Sequence, residues 1–257
     1  MATLKERIQA GEPVLGTFLN LGSPLSTEIC SAMGLDWVLL DLEHGSGPEA
    51  DLMAHAQAVG NGSASLIVRV EQNERARFAR ALDIGSLGVM VPRVETADEA
   101  ATAISYMRYP PDGTRGVALG TRAARFGVEG FEPIHRSAGR LLGVIQIESE
   151  RAVANAEAIA AVPGVDVLFV GPADLSFSMG IPGKTGDPRF VEALQLVSAA
   201  ARKQGKAAGY LLRNVAEIGQ HLELGYTFLG ISTDSGVLAT GIRALATGFR
   251  EATASRT

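Results

Sequence analysis

The sequence predicts a single (β/α)8 barrel, an α/β TIM barrel with parallel strands, as one domain over residues 1–257. Eight apolar runs of strand length alternate with Ala-rich stretches of helical spacing, and 257 residues is an ordinary length for one such barrel. A doubly wound open sheet is the alternative. The strand-like runs lie at 13–19, 36–41, 65–70, 87–92, 142–148, 166–171, 206–212 and 226–232. The helical stretches lie at 24–33, 48–59, 74–84, 96–107, 150–161, 188–204 and 214–223.

Proline and glycine residues mark the boundaries of these helices. Pro48 and Pro188 fit first-turn positions, where the missing N–H of proline has no intrahelical partner to lose. Gly34, Gly85 and Gly205 fit positions that end a helix. The sequence contains no linker or low-complexity tract that would divide the chain.

One long irregular stretch, from Tyr109 to about Gly130, interrupts this alternation. A loop of this length inside a compact domain is uncommon, and such loops are usually functional or act as lids. We therefore expect this stretch to take part in substrate recognition.

The overall charge and the single cysteine exclude several classes of protein. A net charge of −5 and a pI near 5.5 argue against nucleic acid or an anionic membrane as a partner. Cys30, the one cysteine, rules out a disulfide framework and is expected to be a buried structural thiol. No apolar run reaches membrane-spanning length and the first residues lack a signal-peptide core, so a cytoplasmic protein is expected.

Two carboxylates follow neighbouring predicted strands. Glu148 ends the run 144–148, and Asp174 follows the run 167–171. Uninterrupted apolar runs are typical of strands buried on both faces, and α/β proteins place their chemistry at the carboxyl ends of such strands. Two carboxylates at one edge repel each other unless a cation lies between them, so a hard divalent metal is the simplest interpretation. The alternative is that both are helix N-caps or loop acids.

Other polar residues end the neighbouring strands. They are Asp41, Glu43 and His44 after the second strand, Arg69 after the third, and Gln146 in the fifth. A barrel brings these ends to one mouth, so that acid, base and cation can meet there. Arg69 is a candidate for stabilising developing negative charge, or it forms a structural ion pair with Glu71 or Glu43.

Only one histidine and no lysine is predicted to reach this mouth. His55, His135 and His221 lie in helical stretches, whereas His44 ends a strand and is the candidate acid–base residue. The four lysines lie in a terminus, a loop, a helix and the start of a strand. A Schiff-base mechanism requires a desolvated lysine in the mouth, so carbon–carbon bond chemistry here is expected to use a metal.

Four motifs resemble those of the HpcH/HpaI-type class II 2-oxo acid aldolases. They are the segments 39–44 (LLDLEH), 91–100 (VPRVETADEA), 108–116 (RYPPDGTRG) and 169–175 (FVGPADL), and the resemblance extends from Gly11 to about Arg250. It implies a metal-dependent barrel enzyme that cleaves or forms 4-hydroxy-2-oxo acids, giving pyruvate and an aldehyde. It also implies a homohexamer, a trimer of dimers with shared active sites.

The same resemblance implies roles for individual residues. Glu148 and Asp174 would bind Mg²⁺ or Mn²⁺, or another divalent ion such as Co²⁺. Gln146 and the backbone N–H near Ala173 would hold the 2-oxo acid. Arg69 would stabilise the enolate, as a member of a mouth network that includes Asp41, and His44, supported by Asp83, would handle the proton.

Two further expectations concern the substrate pocket and the assembly. Phe18 ends the first strand and is expected to face the mouth, while Arg122 and Arg125 on the long loop are expected to contact the distal end of the substrate. Asp83 ends a helix at the face opposite His44, so it is expected to reach a neighbouring chain's site; alternatively, it only ends its own helix.

Two other functions are compatible with these residues. One is a related enolate lyase that also uses a metal, either a CoA-ester lyase of the citrate-lyase β type or an oxaloacetate decarboxylase. The other is a non-enzymatic barrel that serves as a binding subunit, which the number of polar groups at the strand ends disfavours.

Overall fold

The computed structural model describes residues 2–128, 130–131 and 138–254, and it forms a closed barrel of eight parallel strands. The predicted fold class is therefore confirmed. Each strand pairs with the next in sequence, and β8 closes the barrel against β1. The strands are β1 Val14–Leu19, β2 Trp37–Asp41, β3 Ser65–Arg69, β4 Gly88–Val91, β5 Leu142–Ile147, β6 Val165–Val170, β7 Ala207–Leu212 and β8 Tyr226–Thr233.

Helices cover the outside of the barrel. They are α1 Leu4–Gln9, α2 Pro24–Ala32, α3 Leu52–Val59, α4 Arg75–Asp83, α5 Ala97–Met107, α6 Glu150–Ala154, α7 Ala156–Ala160, α8 Pro172–Ser178, α9 Pro188–Lys203, α10 Ile218–Glu223 and α11 Asp234–Ala254. Short 3-10 turns occur at Glu49–Asp51, Arg125–Gly127, Ala138–Arg140 and Val215–Glu217. Within the described residues, no helix has the length and apolar character needed to cross a bilayer.

The helix boundaries agree with the predicted signals at most positions. Pro188 is the first residue of α9, and Gly34, Gly85 and Gly205 follow their helices with φ values of 89°, 86° and 65°. Pro48 is displaced by one residue, because it precedes the 3-10 turn that leads into α3.

Three helices, α1, α8 and α11, were not among the predicted helical stretches. The predicted helix at 150–161 is in fact two short helices, α6 and α7, which meet at Asn155.

The centre of the barrel is filled by aromatic side chains. Trp37 stacks on Phe228 with ring centroids 4.5 Å apart. Phe18 packs edgewise on Trp37 and Phe169 packs edgewise on Phe228, and these two rings are tilted against each other. Such a cluster fits only where the neighbouring strands carry no side chain, and Gly16 provides this space beneath the indole of Trp37. The packed interior gives the strand ends a rigid base.

The two ends of the barrel carry different connections. Loops that follow the strands form the mouth, whereas the segment after α5 runs along the opposite, amino-terminal end. There Ala123 donates its N–H to the carbonyl of Asp83, the last residue of α4. The described part of this long segment therefore lies away from the mouth of its own barrel.

Replacing Gly16 with alanine is expected to lower the free energy of unfolding by about 1–3 kcal/mol, because the new methyl group would overlap the Trp37 ring. Urea unfolding of the purified protein measures this change. The control is Gly219→Ala in α10, where nothing lies within 4 Å of the added Cβ, and a change below about 1 kcal/mol is expected. Equal effects at the two glycines would show that the aromatic cluster is not tightly packed.

Candidate active site

A buried ion pair joins the ends of β2 and β3. Asp41 and Arg69 are partners in the strand register, and the guanidinium binds both carboxylate oxygens, with Nε 2.8 Å from Oδ1 and NH2 2.6 Å from Oδ2. Both side chains are more than nine-tenths buried. This two-point geometry fixes the plane of the guanidinium and leaves NH1 as the nitrogen that is not bound to Asp41.

Asp41 also folds the turn that follows β2. Its Oδ1 accepts the backbone N–H groups of Glu43 at 3.1 Å and His44 at 3.2 Å. The Glu43 carboxylate consequently lies 3.3 Å from NH1 of Arg69. The His44 ring is 60% exposed, and its Nε2 is 3.9 Å from Glu43.

Arg69 therefore takes part in a structural ion pair as well as facing the mouth. Of the two partners considered from the sequence, Glu43 contacts it, whereas Glu71 pairs with Arg77 at 3.6 Å. Phe18 lies beneath Arg69, with its ring centroid 5.3 Å from the guanidinium carbon. The Phe18 side chain is buried in the aromatic cluster, so it supports Arg69 from below.

A hydrogen-bonded chain extends from Arg69 to the end of β5. NH1 of Arg69 lies 3.5 Å from Oε1 of the buried Gln146, and Nε2 of Gln146 donates to Oε2 of Glu148 at 2.9 Å. The other oxygen of Glu148 accepts the backbone N–H of Arg93 at 2.7 Å. Each end of the Gln146 amide thus has a fixed role, which orients the Glu148 carboxylate.

The Glu148 carboxylate is in an unfavourable environment for a negative charge. Burial raises the pKa of this carboxyl above its ordinary value, and the nearby charges of Asp174 and Glu43 raise the pKa further. The N–H of Arg93 and the charge of Arg69 act in the opposite direction. A cation placed against Glu148 would relieve the repulsion.

The residues at the end of β6 complete this part of the mouth. Ala173 and Asp174 lie exposed in the first turn of α8, where backbone N–H groups have no intrahelical partner. Gly171 precedes them, and a Cβ at this position would lie 3.0 Å from Oε2 of Glu148. The absence of a side chain keeps the space beside that oxygen open.

These groups fit a hard divalent cation. Carboxylate oxygens are the ligands that Mg²⁺ and Mn²⁺ prefer, and Mg²⁺ usually keeps several water or substrate ligands. Within the described residues, no three His, Cys, Asp or Glu side chains are grouped closely enough to hold a metal by themselves. Glu148 and Asp174 would therefore leave most coordination positions to water and substrate.

The structure does not bring every proposed residue to this mouth. Asp83 lies at the amino-terminal end of the barrel, where it pairs with Arg115 at 3.1 Å and keeps a third of its side chain exposed. Arg122 lies at the same end, since its NH1 donates to the carbonyl oxygens of Ala56 and Ile84. Arg125 begins the 3-10 turn three residues later.

Two contributors to the site were not assigned a role from the sequence. From the sequence, Glu43 is expected at the mouth only as one of several polar residues and a partner of Arg69, and Arg93 only as part of the segment 91–100, although it follows β4 by two residues. Arg93 has a φ of 57°, a left-handed conformation that a sequence pattern does not reveal for a residue other than glycine.

The other histidines were predicted to lie in helices away from the site. His55 and His221 are buried in α3 and α10. His135 lies outside the described residues.

Comparison with known proteins identifies the family of this chain. The model of the HpcH/HpaI aldolase/citrate lyase family matches residues 15–240. The chain belongs to this family. A 5-keto-4-deoxy-D-glucarate aldolase of Klebsiella pneumoniae subsp. pneumoniae is 38% identical over 249 residues, which cover 96% of each chain. Curated HpcH/HpaI relatives at this level of identity are named aldolases, which are lyases.

Solved structures of HpcH/HpaI proteins have the same fold. A family member from Burkholderia cenocepacia J2315 matches with a TM-score of 0.92 at 36% identity, covering 96% of this chain and 98% of that one. An HpcH/HpaI aldolase from Desulfitobacterium hafniense DCB-2 matches with a TM-score of 0.91 at 32% identity, covering 98% of both chains.

Removal of the Asp41 carboxylate is expected to destabilise the fold, because it leaves Arg69 buried without its two-point partner. We expect Asp41→Ala to lower the free energy of unfolding by about 3 kcal/mol in urea titrations at fixed protein concentration. Glu157→Ala, which breaks an exposed pair with Lys203, is the control and should cost less than about 1 kcal/mol. A similar small loss in both variants would contradict a structural role for the buried pair.

Proposed function

We propose that this protein is a divalent-metal-dependent aldolase that cleaves or forms 4-hydroxy-2-oxo acids, with pyruvate and an aldehyde as the two fragments. The observation that carries the proposal is the continuous chain from Asp41 through Arg69 and Gln146 to Glu148. In this chain of contacts, the guanidinium of Arg69 and the carboxylate of Glu148 bind opposite ends of the Gln146 amide. The first is a fixed positive charge, and the second is suited to bind a metal. The family membership supports the same reaction class.

Glu148 and Asp174 would hold Mg²⁺ or Mn²⁺. When bound, the metal supplies Lewis-acid polarisation of the oxo group of the substrate. Gln146 faces the same space, since its amide bridges Glu148 and Arg69. The open side of Gly171 and the N–H groups near Ala173 would receive the carboxylate end of the 2-oxo acid.

Arg69 would stabilise the enolate that forms when the carbon–carbon bond breaks. Asp41 holds two of its three nitrogens, so the guanidinium cannot turn away as charge develops. NH1 lies towards Gln146 and Glu43 and presents a positive charge on the mouth side. A fixed donor of this kind acts mainly on the transition state, where the negative charge appears.

His44 is the candidate for proton transfer. In the cleavage direction a base removes the proton of the C4 hydroxyl, the C3–C4 bond breaks, and its electron pair moves into the enolate of pyruvate. The exposed His44 ring can reach this proton through water, and Glu43 lies 3.9 Å from its Nε2. In synthesis the same group returns the proton to the new alkoxide.

The relatives suggest a substrate class. Their named substrate, 5-keto-4-deoxy-D-glucarate, is a 4-hydroxy-2-oxo acid with a second carboxylate at its far end. Cleavage of such a compound gives pyruvate and an aldehyde that carries that carboxylate. We infer that this chain also acts on a dicarboxylic substrate.

A pyruvate-release assay tests the function. Chelator-treated protein should lose cleavage of 4-hydroxy-2-oxo acids and regain it with Mg²⁺ or Mn²⁺, whereas Glu148→Gln and Asp174→Asn should not recover. Glu150→Gln, two residues beyond Glu148, is the matched control and should recover fully. Full activity in excess chelator would contradict the proposal, as would an enzyme that acts only on acyl-CoA esters or only decarboxylates oxaloacetate.

The raised pKa of Glu148 predicts how metal binding depends on pH. A raised pKa means that protons compete with the metal at a higher pH than at an ordinary carboxyl, so metal affinity should rise with pH as Glu148 deprotonates. Titration calorimetry with Mn²⁺ between pH 5 and pH 8 measures this slope. A dependence on pH that is unchanged in Glu148→Gln would contradict the assignment of Glu148 as a ligand.

We also propose that the active site is shared within a homohexamer built as a trimer of dimers. Asp83 cannot support His44 of its own chain, since the two residues lie at opposite ends of the barrel. Asp83 is joined to the long segment through Arg115 and Ala123, so a neighbouring mouth that receives Asp83 would receive Arg122 and Arg125 with it.

The last helix provides a surface for such association. Large apolar side chains of α11 are more than half exposed, namely Val237, Leu238, Ile242, Leu245 and Phe249. A groove of about 580 Å³ lies between α2 and the start of α11, and its walls include Leu25, Ile29 and Met33. Apolar exposure on this scale is typical of surfaces that are covered in an assembly.

Complementation between inactive chains tests the shared site. Co-expressed His44→Ala and Asp83→Ala chains should recover activity in mixed oligomers, because some sites combine an intact His44 with an intact Asp83. Co-expressed His44→Ala and Asp41→Ala chains are the control; both changes affect the same mouth, so no site is restored. Absence of recovered activity in verified His44→Ala and Asp83→Ala mixtures would contradict the shared site. Asp83 would then only end its own helix.

A further inference from the structure

We propose that Arg93 binds a carboxylate at the far end of the substrate, on the part that leaves as the aldehyde, and that it sets a preference for dicarboxylic substrates. This inference rests on the proposed aldolase function and assigns a specificity residue to the same mouth. This proposal differs from the expectation for Arg122 and Arg125, which lie at the opposite end of the barrel from the mouth of the same chain.

The backbone of Arg93 is fixed beside Glu148. Its N–H donates to Oε1 of that carboxylate at 2.7 Å, and its φ of 57° is left-handed. A residue with a Cβ loses about 1 kcal/mol or more in this conformation, so the surrounding contacts must hold it. The side chain of Arg93 therefore begins at the rim of the mouth, next to the proposed metal ligand.

The guanidinium of Arg93 has donors available for a ligand. Its Nε lies 3.5 Å from Oε1 of Glu43, and the side chain is 77% exposed. In the described part of the chain, Glu43 is the acid that pairs with this guanidinium, and the terminal nitrogens donate no hydrogen bond. Arginine can bind one carboxylate through Nε and still offer its terminal nitrogens to a second.

The other cations at the strand ends are already engaged. Arg69 is buried and holds Asp41 and Glu43. Arg213 follows β7, where its NH2 faces the carbonyl of Gly183 at 3.5 Å. Arg93 is thus the strand-end arginine that combines a backbone held by Glu148 with an exposed guanidinium.

The charges of the mouth support this assignment. Asp41 and Glu43 balance Arg69 and Arg93, and a divalent cation would balance Glu148 and Asp174. Among the groups that this chain brings to its own mouth, the exposed guanidinium of Arg93 is the positive charge available to a second substrate carboxylate. Arg93 can accept that carboxylate while Glu43 keeps its place on Nε, and the exposed position lets the side chain adjust to the length of the substrate.

Binding of two unreactive ligands tests the proposal. 2-Oxoadipate and 2-oxohexanoate lack the 4-hydroxyl needed for cleavage, and they differ only in a terminal carboxylate against a terminal methyl group. Titration calorimetry in Mg²⁺ gives the ratio of their affinities for the whole protein. The variants are Arg93→Asn, since asparagine tolerates a left-handed backbone and keeps the N–H to Glu148, and Arg93→Lys.

The wild-type protein should bind 2-oxoadipate more tightly. The affinity ratio should fall about tenfold or more in Arg93→Asn, the scale of a charged hydrogen-bonded pair, and should fall less in Arg93→Lys. Arg213→Asn is the control and should keep the wild-type ratio. The ratio is taken within each protein, because general damage to the site would weaken the binding of both ligands. If Arg93→Asn binds neither acid, the affinity ratio of Arg93→Lys tests the proposal, and a wild-type ratio in that variant would contradict it.

An equal affinity of the wild-type protein for both acids would overturn the proposal, and so would a wild-type ratio in Arg93→Asn. These results are distinct from a failure of the aldolase function. A wild-type protein that cleaves no 4-hydroxy-2-oxo acid, yet prefers 2-oxoadipate through Arg93, would retain the carboxylate site and lose the proposed reaction.

Discussion

The ion pair between Asp41 and Arg69 organises one side of the mouth, because four further residues are positioned from its two ends. The carboxylate of Asp41 holds the backbone of Glu43 and His44, and the guanidinium of Arg69 leads to Gln146 and then Glu148. A buried pair contributes little net stability, since desolvation of both charges offsets their attraction. Its contribution here is orientation, fixed by two short hydrogen bonds across adjacent strands.

Repulsion between carboxylates acts against the negative charge of Glu148 in this network. The chain concentrates carboxylates near Glu148, and the raised pKa of that residue reflects burial and the proximity of Asp174 and Glu43. Arg69 cannot neutralise all of them, because Asp41 already occupies two of its nitrogens. An added positive charge would favour the ionised form of Glu148, which is the physical reason for associating this site with a divalent cation.

The barrel and the central part of the site could be predicted from the sequence because both depend on strands. Parallel strands buried on two faces give uninterrupted apolar runs, and barrel topology then places strand-end residues such as Asp41, Arg69 and Glu148 together. The sequence predicts less well those features that tertiary contacts determine. Phe18 was expected to face the mouth but is buried beneath Arg69, and the left-handed backbone of Arg93 depends on its contact with Glu148. The apolar exposure of α11 is also a property of the folded chain.

The proposed pairing of Asp83 with His44 cannot form within one chain, because the two residues lie at opposite ends of the barrel. Helices of a (β/α)8 barrel run back from the mouth, so a residue that ends a helix lies at the amino-terminal face of the barrel. Asp83 is such a residue, and Arg115 and Ala123 attach the long segment after α5 to that face. A single chain therefore carries polar groups at both of its ends, and only association of chains can bring one end against the other. A closed symmetric assembly would repeat that contact at every mouth, which makes completion of the site and formation of the oligomer a single event.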